Sequence, residues 1–141
     1  MEQTHTWVYF ALVSAIAAAA TAVLAKIGVE AVPSTLAMAI RTLIVVVFAC
    51  AMVFVGGESP AIRDVPARSW LFLLLSGVGT GVSWLAYFRA LQLGPASRVA
   101  PIDKLSLPLT LVLAAVFLHE AIAWRVAVGV VLMTIGALLT I

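Results

Sequence analysis

The feature that most constrains this chain is a series of long apolar runs that contain almost no charge. A helix that crosses a bilayer needs about 20 mostly apolar residues. Runs of that length follow one another along the 141 residues, at 6–25, 32–55, 69–91, 99–118 and 121–141. Backbone groups cannot form hydrogen bonds to lipid, so each run must satisfy its own amides and carbonyls. The sequence therefore predicts transmembrane helices.

The composition also favours a membrane protein over a water-soluble one. Hydrophobic residues make up 65% of the chain and charged residues 10%, against about half and about a quarter in ordinary soluble domains. The connections between the runs are short, and the longest, 56–68, is rich in the turn formers Gly56, Gly57, Pro60 and Pro66. We predict an all-α membrane protein with five transmembrane helices in a single domain, 1–141.

Several other classes of protein are excluded by charge, cysteine and motif patterns. The net charge is only +2 and the basic residues are scattered, so no patch for nucleic acid is predicted. Cys50 is the sole cysteine, which rules out an internal disulfide and a CxxC site. His5 and His119 are isolated at chain or helix ends and do not suggest a metal site. Because catalytic and nucleotide-binding fingerprints are absent, neither an enzyme nor a cofactor is predicted.

The third apolar run carries polar residues at spacings of four, three and four. That spacing puts them on one face of a helix. This polar stripe consists of Ser76, Thr80, Ser83 and Tyr87, with Trp84 one step round the helix. The stripe could line a substrate cavity. The alternative is helix packing, because Ser and Thr form hydrogen bonds between membrane helices and Gly77 and Gly81 form a GxxxG pair beside the stripe.

Arg41 is a charge placed inside the second apolar run. It lies seven residues beyond Ser34, about 10 Å along a helix. A charge at such a position is costly and commonly marks a functional site. The alternative is that the long side chain extends to the headgroups.

Asp103 and Lys104 stand near the start of the fourth run, between Pro101 and Pro108. The prolines predict a bend or break in the helix. The short Asp103 side chain cannot extend far, so we expect it to face protein or water rather than lipid. Lys104 would point about 100° away from it on a regular helix. Alternatively, Pro101 begins the helix and Asp103 caps it at the interface.

The distribution of basic residues gives a weak signal for orientation. With five crossings, one side has Arg63, Arg68 and Arg125 in its loops. The other side has Lys26 and Arg98 in its loops, and nearby helix ends carry Arg41, Arg89 and Lys104. Orientation normally follows the excess of Lys and Arg in cytoplasmic loops. A bias this small predicts that insertion in both orientations is permitted.

The stretch from Trp84 to Thr140 resembles a known family. The resemblance rests on Ala90-Leu91, the Gly94-Pro95-Ala96-Ser97 turn, Pro101, Glu120, Gly129 and Gly136, and on Arg41-Thr42-Leu43 upstream. Together these features resemble the EamA-type repeat of the drug/metabolite transporter superfamily, and in particular its short five-helix subgroup in bacteria and archaea.

The resemblance implies one half of a ten-helix transporter fold with inverted repeats, in the inner (plasma) membrane. It implies transport of small polar metabolites or drugs by alternating access. The second repeat would come from another chain, either a second copy in an antiparallel, dual-topology homodimer or a paralogous half-transporter. The first helix contains no acid, unlike the related small multidrug resistance proteins, which argues against proton-coupled efflux of drug cations.

The polar residues inside the apolar runs and the family resemblance together predict the partners and the substrate-binding residues. The expected partners are the lipid bilayer, a small-molecule substrate and a second half-transporter, with no nucleic acid, metal or cofactor. The competing hypothesis is a non-transporting membrane subunit that partners or stabilises another membrane protein. The residues expected to bind substrate are Arg41, Ser76, Thr80, Ser83, Trp84, Tyr87, Asp103 and Lys104.

Overall fold

The computed structural model describes residues 6–141, so His5 lies outside the described part of the chain. These residues are helical along most of their length and contain no strand, which confirms the all-α prediction. A 3₁₀ helix, Ser59–Asp64, joins the second and third helices. The α-helices are α1 (Thr6–Gly28), α2 (Ser34–Val55), α3 (Ala67–Leu93), α4 (Ala96–Asp103), α5 (Ser106–Phe117) and α6 (Trp124–Leu138).

By length and composition, four helical segments of the described chain could cross a membrane: α1, α2, α3, and α4 with α5 taken together as Ala96–Phe117. The remaining apolar helix, α6, has 15 residues and spans about 22 Å, less than a hydrocarbon core of about 30 Å. It begins at Trp124 rather than at Ala121 as the sequence suggested. The connection before it contains His119, whose positive φ of 54° ends the preceding helical run.

The large apolar side chains of the described helices are mostly exposed on the single chain. Ile16 is 72% exposed and Phe54 is 80% exposed. The buried apolar residues are Val29, Phe88, Leu91 and Ala137. A soluble monomer rarely shows such extensive apolar surface, whereas lipid solvates it without penalty. The exposure therefore agrees with a multi-pass membrane protein.

The chain forms two compact units. One unit combines residues up to Leu24 with Leu93–Ile141. Within it α6 lies against α4 and α5, and Ala137 of α6 is buried. The other unit, Ala25–Gln92, contains α2, the 3₁₀ helix and almost all of α3.

The predicted break near Asp103 is present and has a backbone cause. Pro108 lacks an amide hydrogen, and its ring would clash with the carbonyl of Lys104 four residues earlier in a continuous helix. The Lys104 carbonyl instead accepts a 2.9 Å hydrogen bond from the amide of Leu107. The amides of Lys104 and Leu105 also donate three residues back, at 3.0 and 2.9 Å. This is the tighter 3₁₀ pattern, and it separates α4 from α5.

The capping alternative for Asp103 is wrong. Helix α4 begins at Ala96, with Pro95 as its N-cap residue, and Pro101 lies inside the helix. Asp103 is the last residue of α4 rather than a residue before its first turn. The helix begins earlier than expected because the Gly94-Pro95 turn places Pro95 at the N-cap position. Pro101 therefore lies inside a short helix rather than at its first residue.

The C-terminus of α2 ends in a complete Schellman motif. Gly56 is the C-cap residue and Gly57 follows it with φ of 68°. The Gly57 amide donates to the Phe54 carbonyl at 3.2 Å, and the Glu58 amide donates to the Val53 carbonyl at 3.1 Å. These two bonds satisfy carbonyls that the helix end leaves without partners. Glycine at this position is the residue that adopts the left-handed conformation without steric cost.

We expect Gly57→Ala to destabilise the protein by about 1 kcal/mol, because an L-residue in the left-handed region costs about 1–2 kcal/mol. The matched control is Gly28→Ala at the end of α1. A Cβ added there meets no atom within 4 Å, and the backbone has no positive φ. Unfolding of purified variants in detergent micelles measures both. A Gly57 variant that unfolds no more easily than the Gly28 variant would contradict the role assigned to this turn.

Candidate functional site

An arginine of α2 lies on two aromatic rings of α3. The guanidinium carbon of Arg41 is 4.3 Å from the centroid of the Trp84 ring and 5.5 Å from that of Phe88. Arg41 and Trp84 are half-buried, and Phe88 is 2% exposed. All three residues belong to the Ala25–Gln92 unit. The structure thus brings together two of the residues expected at the site, Arg41 and Trp84.

The positive charge of Arg41 lies against these two rings and is paired with no acid in the described chain. Within residues 6–141 its guanidinium has no ion pair and no hydrogen bond. The negative face of an aromatic ring attracts a cation with about 0.5–2 kcal/mol, depending on how far the pair is desolvated. The rings therefore hold the charge in place and leave its hydrogen-bonding capacity unused.

The position of the rings bears on whether Arg41 extends toward the headgroups. Trp84 is nine residues before the end of α3 at Leu93, and Phe88 is five residues before it. These separations correspond to about 13 and about 7 Å along the helix. The guanidinium is nearer to the deeper ring, Trp84. The Arg41 side chain therefore packs across to α3 within the helical region instead of reaching the end of that helix.

Most of the polar stripe of α3 is exposed. Ser76, Thr80 and Ser83 are exposed, and Tyr87 is half-buried. The Thr80 hydroxyl donates a 3.0 Å hydrogen bond to the Ser76 carbonyl in the same helix. Its proton is thereby satisfied without a neighbouring helix, while its oxygen can still accept a hydrogen bond.

Within residues 6–141, the glycines beside the stripe are not in close contact with other atoms. A Cβ added at Gly77 or Gly81 would meet no atom within 4 Å, and the same holds for Gly79 on the other side of the helix. A GxxxG pair normally allows two helices to approach closely. The space beside Gly77 and Gly81 therefore leaves room for a helix of another chain to approach.

Hydrogen bonds from two polar side chains join the ends of α1 and α3, and the sequence did not predict them. The Lys26 ammonium donates a 2.7 Å hydrogen bond to the Leu91 carbonyl. The Gln92 amide donates to the carbonyls of Val29 and Val32, at 3.2 and 2.7 Å. These bonds join the last turn of α1 and the segment that follows it to the last turn of α3. Only long-range contacts distinguish Lys26 and Gln92 from surface residues, and the sequence carries no signal for them.

Asp103 and Lys104 form an ion pair in the other compact unit. The Lys104 ammonium is 3.1 Å from a carboxylate oxygen of Asp103. The expectation that Lys104 points away is wrong, because its long, flexible side chain extends back to the carboxylate of the preceding residue. The two side chains are 54% and 36% exposed for Lys104 and Asp103, so the pair adds little stability by itself. It provides a charged pair at a break in a membrane-spanning segment.

Known proteins resemble this chain over almost its whole length. Residues 5–141 match the model of the EamA-like transporter family. A protein from a Sinorhizobium species, described as an uncharacterized transporter in the cobO 3′ region, is 46% identical over 136 residues, which cover 96% of each chain. No solved structure matches the chain.

Proposed function

This chain belongs to the EamA-like transporter family, and from that premise we propose that it carries small polar metabolites or drugs across the plasma membrane by alternating access. The observation that supports this most directly is the Arg41 guanidinium, held on Trp84 beside an open row of hydroxyls. A charge and hydroxyls at membrane depth are retained where they meet water, a solute or protein. A transported solute meets that requirement.

The proposed binding residues differ in the type of contact that each offers to a solute. Arg41 supplies charge, Trp84 supplies a flat apolar surface, and the α3 hydroxyls with Tyr87 supply directional polar groups. Asp103 and Lys104 form a second charged pair at the junction between α4 and α5, where the α-helical bonding is interrupted by a 3₁₀ turn. In secondary carriers, polar sites are commonly built where helices are interrupted.

The proposed transporter consists of this chain and a second half-transporter. The exposed hydroxyls of α3 would cost free energy if they faced lipid alone, so a partner surface is favoured. The open faces at Gly77 and Gly81 allow another helix to approach closely. A copy inserted in the opposite orientation gives the inverted symmetry through which one site opens alternately to both sides. We therefore propose an antiparallel homodimer, and a paralogous partner would use the same surface.

Transport is tested with the purified chain in liposomes and a defined mixture of small polar metabolites. We expect mass spectrometry to detect at least one solute that accumulates above the level in protein-free liposomes. Asp103→Asn should slow that uptake more than Glu120→Gln does. Asp103 lies half-buried at the helix break, whereas Glu120 is exposed between α5 and α6.

Two outcomes would contradict these expectations. If folded protein accumulates none of the solutes, the non-transporting membrane subunit becomes the better reading. If Glu120→Gln slows uptake more than Asp103→Asn, the roles assigned to the two acids are reversed.

Dual topology is tested by labelling a single cysteine. Ala61 is exposed in the 3₁₀ helix between α2 and α3, and the free thiol of Cys50 is removed by Cys50→Ser. With Ala61→Cys in that background, we expect an impermeant maleimide applied to intact cells to modify about half of the protein, because the weak charge bias permits both orientations. Modification of all of it or none would replace the antiparallel dimer with a parallel or heteromeric assembly.

The glycine face of α3 gives a matched test of the partner surface. We expect Gly77→Leu to weaken dimer formation in lipid, because a large side chain would prevent close approach of a second helix. Gly79→Leu is the control, since two residues correspond to about 200° on a helix and its Cβ position is equally open. Single-molecule photobleaching in liposomes counts the copies. Equal dimer fractions for the two variants would show that this face is not the interface.

A further inference from the structure

We propose that the Arg41–Trp84 pair selects an anionic solute, whose carboxylate or phosphate group binds the Arg41 guanidinium. This inference rests on the proposed transport function and adds the chemical class of the substrate. Its basis is the geometry of one unit, Ala25–Gln92, in which the cation, the rings and the hydroxyl groups all lie.

The guanidinium of Arg41 has hydrogen-bonding capacity that the described chain does not use. A guanidinium has five N–H donors in a planar fork that fits carboxylate and phosphate oxygens in pairs. The two rings that hold Arg41 contribute no acceptor oxygen. In the part of the chain that the structure describes, the donors make no hydrogen bond. An anion with two oxygens supplies the charge and the acceptors together.

The charges near Arg41 in this unit favour an anion over a cation. Its acidic residues are Glu30, Glu58 and Asp64, and all of them lie outside α2 and α3. Arg41 is therefore a positive charge among helices that carry no carboxylate near it. A cationic solute would be repelled by Arg41 and would find no acid in these two helices to bind it. An anion removes the unfavourable burial of an unpaired charge.

The aromatic rings give the Arg41 guanidinium a partly apolar environment. Phe88 is almost fully buried and Trp84 is half-buried, so the guanidinium has apolar surface on one side. Electrostatic attraction is stronger where water is excluded. Hydrogen bonds in which both groups are charged are about twice as strong as neutral ones. The same ring contact fixes the direction of the guanidinium before any ligand arrives, which lowers the entropy lost on binding.

The hydroxyls of the stripe suit the remainder of such a solute. Ser83 precedes Trp84 in the chain and Thr80 lies one helical turn before Trp84. Thr80 uses its proton on the Ser76 carbonyl and so presents an acceptor oxygen. Ser83 can present a donor or an acceptor. A small solute with an anionic group and a polar body, such as a hydroxy acid or a sugar phosphate, fits this order of groups.

Phospholipid headgroups offer the same phosphate chemistry as a soluble anion. A bound lipid would remain with the protein during purification, whereas a transported anion would be carried across the membrane. The experiment therefore needs one measurement on soluble solutes and another on retained lipid.

The first measurement is uptake by liposomes of a mixture sorted by charge. The mixture contains carboxylates with their neutral amides, sugar phosphates with their parent sugars, and organic cations of similar size. We expect the anionic member of at least one pair to enter at least about tenfold faster than its neutral counterpart, as one charge-assisted contact implies. Arg41→Gln should abolish that preference, and Arg41→Lys should keep part of it by retaining the charge without the fork.

The control is Arg68→Gln at the other end of α3. Arg68 also lies over a ring, with its guanidinium carbon 5.8 Å from the centroid of Phe72, but it is exposed. This substitution removes the same charge and the same type of contact. We expect the preference for anions to be unchanged in it. An equal loss in both variants would attribute the preference to net charge and overturn the proposal.

The second measurement is native mass spectrometry of the wild-type protein and Arg41→Gln. If the wild type retains a phospholipid that Arg41→Gln lacks, while both take up anions equally, Arg41 binds a headgroup and the proposal is wrong. Uptake confined to neutral or cationic solutes also overturns it, yet leaves the transport function standing. If no solute enters at all, the transport function itself fails and this inference fails with it.

Discussion

The rest of the structure depends on the need to satisfy backbone hydrogen bonds without water. Apolar side chains cover the described helices and are largely exposed, so lipid is the solvent for most of the surface. In that solvent an unpaired amide or carbonyl costs several kcal/mol, about as much as a small protein can lose. The chain responds with long helices, and it interrupts them at proline and glycine, where turns supply replacement bonds. The 3₁₀ turn before Pro108 and the Schellman motif at Gly57 are examples.

Polar side chains inside these helices are accommodated in several ways. Four threonines donate their hydroxyl protons to carbonyls one turn earlier: Thr42, Thr80, Thr110 and Thr134. Lys26 instead donates to a carbonyl in the last turn of α3, where the partial negative charge of the helix end attracts a cation. Arg41 rests on aromatic rings. The hydroxyl protons of these threonines are satisfied within their own helices, and Lys26 has an acceptor, whereas the half-buried Arg41 guanidinium makes no hydrogen bond among the described residues.

The Ala25–Gln92 unit contains both a small buried core and the proposed binding residues of α2 and α3. The bonds from Lys26 and Gln92 fasten the last turn of α3, and the same region contains the buried Val29, Phe88 and Leu91. Phe88 thus belongs both to this small core and to the surface on which Arg41 lies. A core that fixes the aromatic rings also fixes the guanidinium. Farther along α3 the hydroxyls and glycines are open, which gives the proposed solute and partner chain a surface close to a rigid cation.

The sequence by itself determined the solvent, the helical class and the family. Apolar runs about as long as a bilayer is thick, together with the turn and proline pattern around Gly94, suffice for these because they depend on local composition and spacing. It also located the break near Asp103, since proline acts on the residues beside it. Only the tertiary structure decided which side chains meet. The stacking of Arg41 on Trp84 and Phe88, and the bonds of Lys26 and Gln92, join residues more than forty positions apart. The apolar pattern says little about such contacts, because a helix that is apolar all round does not reveal which face meets a neighbour.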